Sequence, residues 1–492
     1  MLSYIYDALG FFRGVFSRHS TWLVFCMIVL GFIGADQLIG ISSFCRFWGL
    51  GESGYHCFLH FFRSSAWSVD ALVVYWTTFV LSQNVTVQAE GRAVLLGDHT
   101  YAPKDGRRMP GVETLHQDSE TQSKPSYFRG HRWGAIGLLV GSLTAPFCLP
   151  LALKIHQGLH PGGEEPQEKR NDETLGTRIV QMAIEFALKH NVPSVLILDA
   201  FFPTGAVFML VNSIWSIELR QPLVTLIVRA KKNYVAYFEA KEPEGENPVG
   251  RPPTYGEKVT LMELFDHLHL FSKLPCLVYG EVEEVSIMAV NLLWKPIGGM
   301  IRFVLAVTSR GPIILMCSDL NQDPALALQL YCTRTRIEVM FDMLKNLISA
   351  FLYRFWSKHM PRNSRKPKKN KDLKQPSSQE WPTVQLCWEA YERFVMLGAI
   401  SVGLLQLVAL KYADAIWSRS DAFLRTRSRH IPSERTVKQV MARLLVHDFL
   451  ILAPSAIMQE IRERYFGEKF PPQGACPPTN PEELSQQMDQ AS

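Results

Sequence analysis

The chain has 492 residues, of which 47% are hydrophobic and 20% charged, and its formal net charge is +5. This composition excludes an intrinsically disordered chain, the length allows about two to four domains, and the small charge excess indicates no partner until its placement is known. The nine cysteines include no C-x-x-C pair, and their odd number argues against a disulfide framework and a structural zinc site and favours a reducing compartment.

Residues 1–90 are rich in aromatic residues, and short amphipathic segments alternate with Gly-Ser turns. The pattern predicts an N-terminal helical domain with either a DNA-binding or a purely packing role. The apolar run at 21–35 is too short to span a bilayer as a helix. We expect no cleaved signal peptide, because the N-terminal region lacks a small-residue cleavage site.

Residues 91–230 predict a mixed α/β sheet with the element order β-β-β-α-β-α-β. The first strand, an apolar strand in RAVLLGDHTY, is predicted to end on Asp98, and the fourth, VPSVLILDA, to end on Asp199. The apolar run 134–153 is long enough to span a membrane, but Gly141 and two prolines interrupt it, so we predict two buried strands and no membrane segment. The other predicted elements are a helix at 173–190, a helix at 204–215 and a strand at 222–230.

The second half of the chain begins with a β-rich insertion at 231–320. Residues 321–350 contain a helix that starts near Pro324 and completes the core. The region 351–466 is mostly helical and contains a basic loop at 361–374. A cluster of arginines follows, at positions 419, 425, 427 and 429. The Pro- and Gln-rich tail at 467–492 is predicted to be disordered.

The helix sequence YCTRTRIEVMFDMLK (331–345) places a glutamate between basic residues. Tyr331, Arg334, Glu338 and Lys345 stand at offsets of three, seven and fourteen residues, which return to one stripe of a helix. A neighbouring apolar stripe would face the core. The helix therefore directs a carboxylate between an arginine and a lysine, unless the stripe is an ordinary solvated charged face.

Three carboxylates are candidates for a common site. Ligands of open α/β sheets gather at the carboxyl ends of strands, so Asp98 and Asp199 would meet if their strands are adjacent, and Glu338 would be the third acid. Close carboxylates repel one another unless a cation neutralises them, and hard oxygen ligands suit Mg²⁺ or Mn²⁺. Taken singly, each aspartate also fits a turn or a cap. Asp319, as a turn or N-cap residue, and Asp342 are weaker candidates.

With these two aspartates, the helix resembles a known family. Its four residues match the pattern Y-x(2)-R-x(3)-E-x(6)-K of DDE transposases of the bacterial insertion-sequence type, the cut-and-paste branch that uses a hairpin intermediate. The β-rich stretch before Glu338 resembles the insertion domain of that branch, and the resemblance covers about residues 90–350. It implies an RNase H-like core in which Asp98, Asp199 and Glu338 are catalytic and bind two Mg²⁺ ions, with Mn²⁺ as a possible substitute.

The resemblance also implies the substrate and the partners. Enzymes of this family nick each transposon end, form and open a hairpin, and join the 3′-OH to target DNA. They act as homodimers on double-stranded DNA, here at the nucleoid of the bacterial cytoplasm. By matching position, Tyr331, Arg334 and Lys345 would hold DNA phosphates. Basic residues of a flexible loop after Asp98 would reach flanking duplex: Lys104, Arg107 and Arg108.

The expected base-stacking tryptophan is the one departure from the family pattern. The hairpin branch stacks a flipped base on a tryptophan of the insertion domain, and the strand before the helix, PIILMCSDL, has none. Trp294 is the single tryptophan of the insertion, and both a base-stacking and a packing role fit it. Two alternatives to a transposase stay open, namely another two-metal nuclease with the same core and a domesticated DNA-binding protein that no longer transposes.

Overall fold

The computed structural model describes residues 1–36, 38, 40–116, 126–156, 174–218, 220–240, 253–366, 374–420, 430–451 and 454–467. Several predicted features lie outside these ranges. They are the polar linker before the first core helix, half of the basic loop (367–373), the arginines at 425, 427 and 429, and the tail after 467.

The N-terminal region is helical, as predicted. Its helices are α1 Leu2–Phe11, α2 His19–Gly34, α3 Ile41–Trp48, α4 Glu52–Arg63 and α5 Val69–Leu81, with a 3₁₀ turn at Phe12–Val15. Every residue of α2 from Trp22 to Gly34 is buried. A helix that is apolar on all sides must be enclosed by other elements, and α2 is enclosed by helices from both ends of the chain.

The predicted mixed α/β sheet is confirmed. Its first strands are β1 Gln88–Ala89, β2 Arg92–Pro103, β3 Glu113–His116, β4 Tyr127–Val140, β5 Phe147–Ile155, β6 Ser194–Leu198 and β9 Val224–Arg229, with helices α6 Leu175–His190 and α7 Gly205–Asn212. Between α7 and β9, the short strands β7 Trp215–Ser216 and β8 Gln221–Pro222 pair with each other in a separate two-stranded sheet. Strands β5, β4 and β2 pair antiparallel, whereas β2, β6 and β9 pair in parallel. The central order is therefore β5-β4-β2-β6-β9.

The segment between the second aspartate and the glutamate is rich in strands and extends the same sheet. It contains β10 Val235–Glu239, β11 Tyr255–Thr260, β12 Ser272–Val278, β13 Glu281–Trp294, β14 Gly299–Thr308 and β15 Gly311–Cys317, with a 3₁₀ segment at Glu263–Leu270. Strand β15 pairs antiparallel with β9, and β14 and β13 follow outward. The polypeptide thus returns to the sheet edge beside β9 before it enters the helix that carries Glu338.

The remaining helices are α8 Pro324–Cys332, α9 Thr335–Asp342, α10 Trp381–Lys411, α11 Ala413–Trp417, α12 Glu434–Leu450 and α13 Ala456–Phe466, with a π-helical turn at Met343–Leu347. Helix α10 contacts β5, α2, α4 and α12. Its buried Arg393 donates hydrogen bonds to the carbonyl oxygens of Phe62 and Trp67, and Lys438 of α12 donates to three carbonyl oxygens at the end of α2. The two terminal helical regions therefore share one core.

Among the described residues, α10 is the one helix with the length and apolar composition to cross a bilayer. Buried residues make up 89% of its most apolar window, as in the core helix of a soluble protein. The run at 134–153 forms β4 and β5 with a turn between them, as predicted. The shorter apolar run at 21–35 lies mostly in α2, which has 16 residues.

Gly97 precedes Asp98 in β2 and is expected to be intolerant of a side chain. A Cβ atom at this position would lie 2.6 Å from Cγ2 of Ile179 and 2.8 Å from Cδ2 of Leu198. Gly97→Ala should therefore lower the free energy of unfolding by about 2 kcal/mol, the usual effect of overpacking a core. Chemical denaturation measures it, with Gly299→Ala in β14 as control, because the nearest atom to a Cβ there is 3.7 Å away. Equal stability of the two variants would contradict the prediction.

Candidate active site

The two aspartates lie at the carboxyl edge of adjacent parallel strands. Strand β2 pairs with β6 from Ala93 to Leu96, Asp98 lies two residues farther along β2, and Asp199 follows the last residue of β6. The prediction that a strand ends at each aspartate is correct for Asp199 and wrong for Asp98. Strand β2 continues to Pro103 because β4 pairs with it over that whole length.

The glutamate is carried by a broken helix and not by the continuous one predicted. Helices α8 and α9 are separated at Thr333 and Arg334, where the backbone N–H of Arg334 donates to the carbonyl oxygen of Tyr331 in a tight i, i+3 turn. The hydroxyl of Thr333 bonds the carbonyl oxygen of Leu330, a local bond that competes with regular helix geometry. The start of α8 is capped by Asp323, while Asp319 forms the predicted turn by accepting from the N–H of Asn321.

Arg334 joins all three predicted acids. Its Nη1 lies 3.3 Å from Oδ2 of Asp98 and 3.8 Å from Oδ2 of Asp199, and its Nη2 lies 2.5 Å from Oε1 of Glu338. Tyr331 donates its hydroxyl to Oδ1 of Asp199 at 3.3 Å. Three acids that are far apart in the sequence thus converge on one guanidinium, and we call Asp98, Asp199, Glu338 and Arg334 the carboxylate cluster.

The cluster is only partly accessible to solvent, and this shifts its proton equilibria. Burial raises the pKa of Asp98 to about 6, because the favourable N–H of His99 and the guanidinium of Arg334 only partly offset the loss of water. Burial acts to lower the pKa of Arg334, but the three carboxylates raise it above its ordinary value. Burial and the charge of Asp199 raise the pKa of Tyr331, so its hydroxyl is a hydrogen-bond donor at neutral pH.

The cluster has the ligand chemistry of a magnesium site, although a guanidinium now lies between the ligands. Among the described residues, no group of three or more His, Cys, Asp or Glu side chains is arranged to hold a metal ion. The three acids nevertheless offer only carboxylate oxygens, which are the ligands of Mg²⁺ and Mn²⁺, and all three already surround a positive charge. The donor set therefore fits a divalent cation that would replace the charge of Arg334.

Two predicted DNA contacts, Lys104 and Trp294, are buried in the protein. The ammonium group of Lys104 donates to the carbonyl oxygens of Phe351 and Tyr353, and burial lowers its pKa to about 7. It therefore fixes the loop in place and is not a flexible contact with DNA. The indole of Trp294 is 5% exposed and stacks on Tyr234, so it has the packing role, one of its two alternatives. The burial of both side chains was not predicted, because sequence patterns do not reveal which long side chains become enclosed.

The other predicted residues are differently placed. Arg107 is exposed and Arg108 half-buried, and both belong to a loop tied to residues 357–363 by backbone hydrogen bonds. Lys345 lies in the π-helical turn and is half-buried. The side chain of Asp342 accepts from Nδ2 of Asn346 and takes no part in the carboxylate cluster.

Asp98→Asn should stabilise the metal-free protein at neutral pH. Because the folded-state pKa is raised to about 6, the protonated form of Asp98 favours folding below about pH 4, and this contribution is lost as the pH rises through 6. The neutral amide of asparagine avoids that loss, so the free energy of unfolding should be higher in Asp98→Asn than in the parent by about 1–3 kcal/mol at pH 7.5 and should differ little at pH 4. Urea unfolding in EDTA at both pH values measures the effect, and a variant less stable than the parent at pH 7.5 would contradict it.

Three further residues, Arg354, Trp356 and Lys358, follow the helix that carries Glu338 and were not among the predicted site residues. They lie in an extended segment in which exposed and buried residues alternate. The sequence signal is the aromatic residue at every second position, Phe351, Tyr353 and Phe355, with the basic residues Arg354 and Lys358 on the other side, whereas the region 351–466 was predicted to be mostly helical.

Two comparisons, with protein-family models and with curated protein sequences, find no match. The chain matches no protein-family model. No curated protein sequence matches it either. Functional inference for this chain therefore depends on the motif and on the geometry of its carboxylate cluster.

Proposed function

We propose that this protein is a DDE-type DNA transposase, which cuts DNA ends and joins them to target DNA by hydrolysis and transesterification of phosphodiesters. The observation that carries the proposal is the convergence of Asp98, Asp199 and Glu338 on the guanidinium of Arg334. Their positions are those of the D, D and E residues of the motif. An accidental match of the spacing would not require the three side chains to meet.

The fold around the cluster supports an RNase H-like core. The strand order β5-β4-β2-β6-β9, with three antiparallel strands followed by parallel ones, agrees with the core that the resemblance implies. The aspartates belong to the first and fourth strands of that core. Helix α9 contacts β2 and β5 and brings Glu338 to the same edge.

The chemistry requires the carboxylate cluster in its ionised form. Asp98, Asp199 and Glu338 would hold two Mg²⁺ ions, which activate an attacking oxygen and stabilise the leaving oxygen when they are bound. Asp98 must first lose its proton, and because burial raises its pKa to about 6, it does so only as the pH rises above that value. Tyr331 holds Asp199 in position through its hydroxyl, and Arg334, released from the acids, would bind the phosphate of the DNA.

The DNA would be double-stranded transposon ends and target, bound by a homodimer in the bacterial nucleoid. Arg107, Arg108 and Lys345 are the predicted phosphate contacts that reach solvent at least in part. The hairpin route rests on the family resemblance alone, because Trp294 is buried and offers no face to a base.

The test uses the purified full-length chain and linear DNA carrying the inverted repeats that bound its gene. We expect Mg²⁺-dependent nicks that leave a 3′-OH at the repeat ends, followed by joining of those ends to a target plasmid. A scrambled repeat is the control, and EDTA should stop both reactions. Cleavage without joining would favour the nuclease alternative, and equal cleavage of repeat and scrambled DNA would contradict the proposal.

A further inference from the structure

The segment that follows the π-helical turn exposes every second side chain. From Phe351 to Lys358, the odd-numbered residues are buried, and the even-numbered ones face solvent. This is the alternation of an extended chain. The exposed side chains are Leu352, Arg354, Trp356 and Lys358.

The exposed side of this segment forms one wall of a cavity of about 700 Å³. The opposite wall is the loop after β2, and several hydrogen bonds hold the walls together: Arg108 donates to the carbonyl oxygen of Lys358 and accepts from the N–H of Ser357, and the N–H of Asn363 donates to the carbonyl oxygen of Arg107. The cavity is therefore formed before any ligand binds. Its cationic lining residues are Arg107, Arg108, Arg354, Lys358, Arg362 and Arg365, and we call it the basic cavity; Lys104 also lines it but donates its ammonium group to backbone carbonyl oxygens.

The charges of the basic cavity are not balanced by the protein. Asp105 is its one acidic lining residue. Within the described part of the chain, none of the lining lysines and arginines takes part in a salt bridge. Like charges held this close destabilise one another, and a polyanion in the cavity would relieve the repulsion.

A large aromatic side chain lies at the rim of the basic cavity. The indole of Trp356 is 57% exposed, although burial of a tryptophan is normally favourable. Its two neighbours on the exposed side of the segment, Arg354 and Lys358, are cations. An exposed ring beside phosphate-binding cations is the arrangement that binds single-stranded nucleic acids, because every base has a face that can stack.

We propose that the basic cavity and Trp356 bind a single DNA strand, with phosphates on the arginines and an unpaired base stacked on the indole. The choice of DNA rests on the proposed function. The cavity begins at Pro103, five residues beyond Asp98 along β2, which corresponds to about 17 Å, a distance that a few nucleotides of a strand can span. The same strand can therefore contact the carboxylate cluster and the cavity.

Binding of a fluorescent oligothymidylate of about 12 nucleotides tests the proposal by anisotropy. The full-length chain is used in EDTA, so that no cleavage occurs. Trp356→Ala should weaken binding roughly tenfold, and Trp356→Phe should recover most of the affinity. Trp215→Ala is the matched control, because Trp215 is 58% exposed and does not line the cavity.

An oligonucleotide without bases separates stacking from charge. Trp356→Ala should leave the affinity for this oligonucleotide unchanged. Arg354→Ala and Arg362→Ala should weaken the binding of both oligonucleotides, and the slope of log affinity against log salt concentration should fall by about 0.7 for each phosphate that the protein no longer binds. Lys258→Ala, at an exposed position on β11, should leave the slope unchanged.

Three results would overturn the proposal. The first is an unchanged affinity of Trp356→Ala for the oligothymidylate. The second is an equal loss of affinity in Trp356→Ala for the oligonucleotides with and without bases. The third is duplex DNA that binds more tightly than the single strand and whose affinity does not change in Trp356→Ala. Binding is measured without metal, so its outcome is independent of the cleavage test. Binding as predicted together with no cleavage would mean that the protein binds DNA but lacks transposase activity. Cleavage with unaltered binding in the variants would overturn only the binding role of the cavity.

Discussion

Alanine at Asp98, Asp199 or Glu338 is expected to lower Mg²⁺-dependent cleavage of transposon ends by at least about a thousandfold, or about 4 kcal/mol of barrier. Each acid supplies oxygens that no neighbour can replace, since only these three carboxylates approach Arg334 within the described cluster. The three losses should be similar in size, because removal of any one acid disables the same unit. Initial rates of strand nicking at saturating Mg²⁺ measure them.

The matched control for this series is Asp342→Ala. Asp342 lies four residues after Glu338, is exposed, and contacts Asn346. Its removal should leave the cleavage rate within about twofold of the parent, as for a surface substitution away from the site. A full loss with Asp342→Ala, or retained cleavage in any one of the three cluster variants, would assign the metal ligands differently.

Arg334→Ala is expected to have the second largest effect and to act in two ways. Without metal, three carboxylates lose their common counter-charge, and the free energy of unfolding should fall by about 1–3 kcal/mol; the effect is limited because Glu338 is 58% exposed. Cleavage should fall by about a hundredfold or more, because the guanidinium would also bind the reacting phosphate. Thermal unfolding in EDTA and nicking rates measure the two effects.

The response of the variant to Mg²⁺ tests whether Arg334 occupies the place of the ion. Mg²⁺ should raise the melting temperature of Arg334→Ala more than that of the parent, since the ion no longer competes with a bound cation. Arg334→Lys keeps the charge and should respond as the parent does, but with reduced cleavage because an ammonium lacks the forked donor geometry. Equal Mg²⁺ stabilisation of Arg334→Ala and the parent would show that the guanidinium and the ion do not exclude each other.

Short-range patterns predicted the individual elements well. The strands around Asp98 and Asp199, the two strands at 134–153 and the helix after the polar linker follow from local apolar runs, Gly turns and capping residues. The break at Thr333 and the π-helical turn were missed. Helix propensity favours a continuous helix, whereas the break coincides with the local hydrogen bond from the hydroxyl of Thr333 to the carbonyl oxygen of Leu330.

Contacts between distant segments explain why the burial of Lys104 and Trp294 was not predicted. Lys104 follows a strand and precedes a polar loop, so its sequence context predicts exposure, yet residues 351–353 cover it. Trp294 was assigned from its place in the insertion, but Tyr234 and Phe208, distant in the sequence, enclose its ring. In both cases the covering residues are far along the chain, where no periodicity can identify them.

The sequence by itself determined the mixed sheet, the order of its core elements and the three acids, because strand periodicity and motif spacing are local properties of the chain. The tertiary structure alone decided that Arg334 lies between the acids, that α2 and α10 share one core, and that Trp356 stands beside a basic cavity. These features depend on contacts between segments hundreds of residues apart. Such contacts are selected by the packing and charge of the whole fold, and this is why they could not be predicted from any single stretch of sequence.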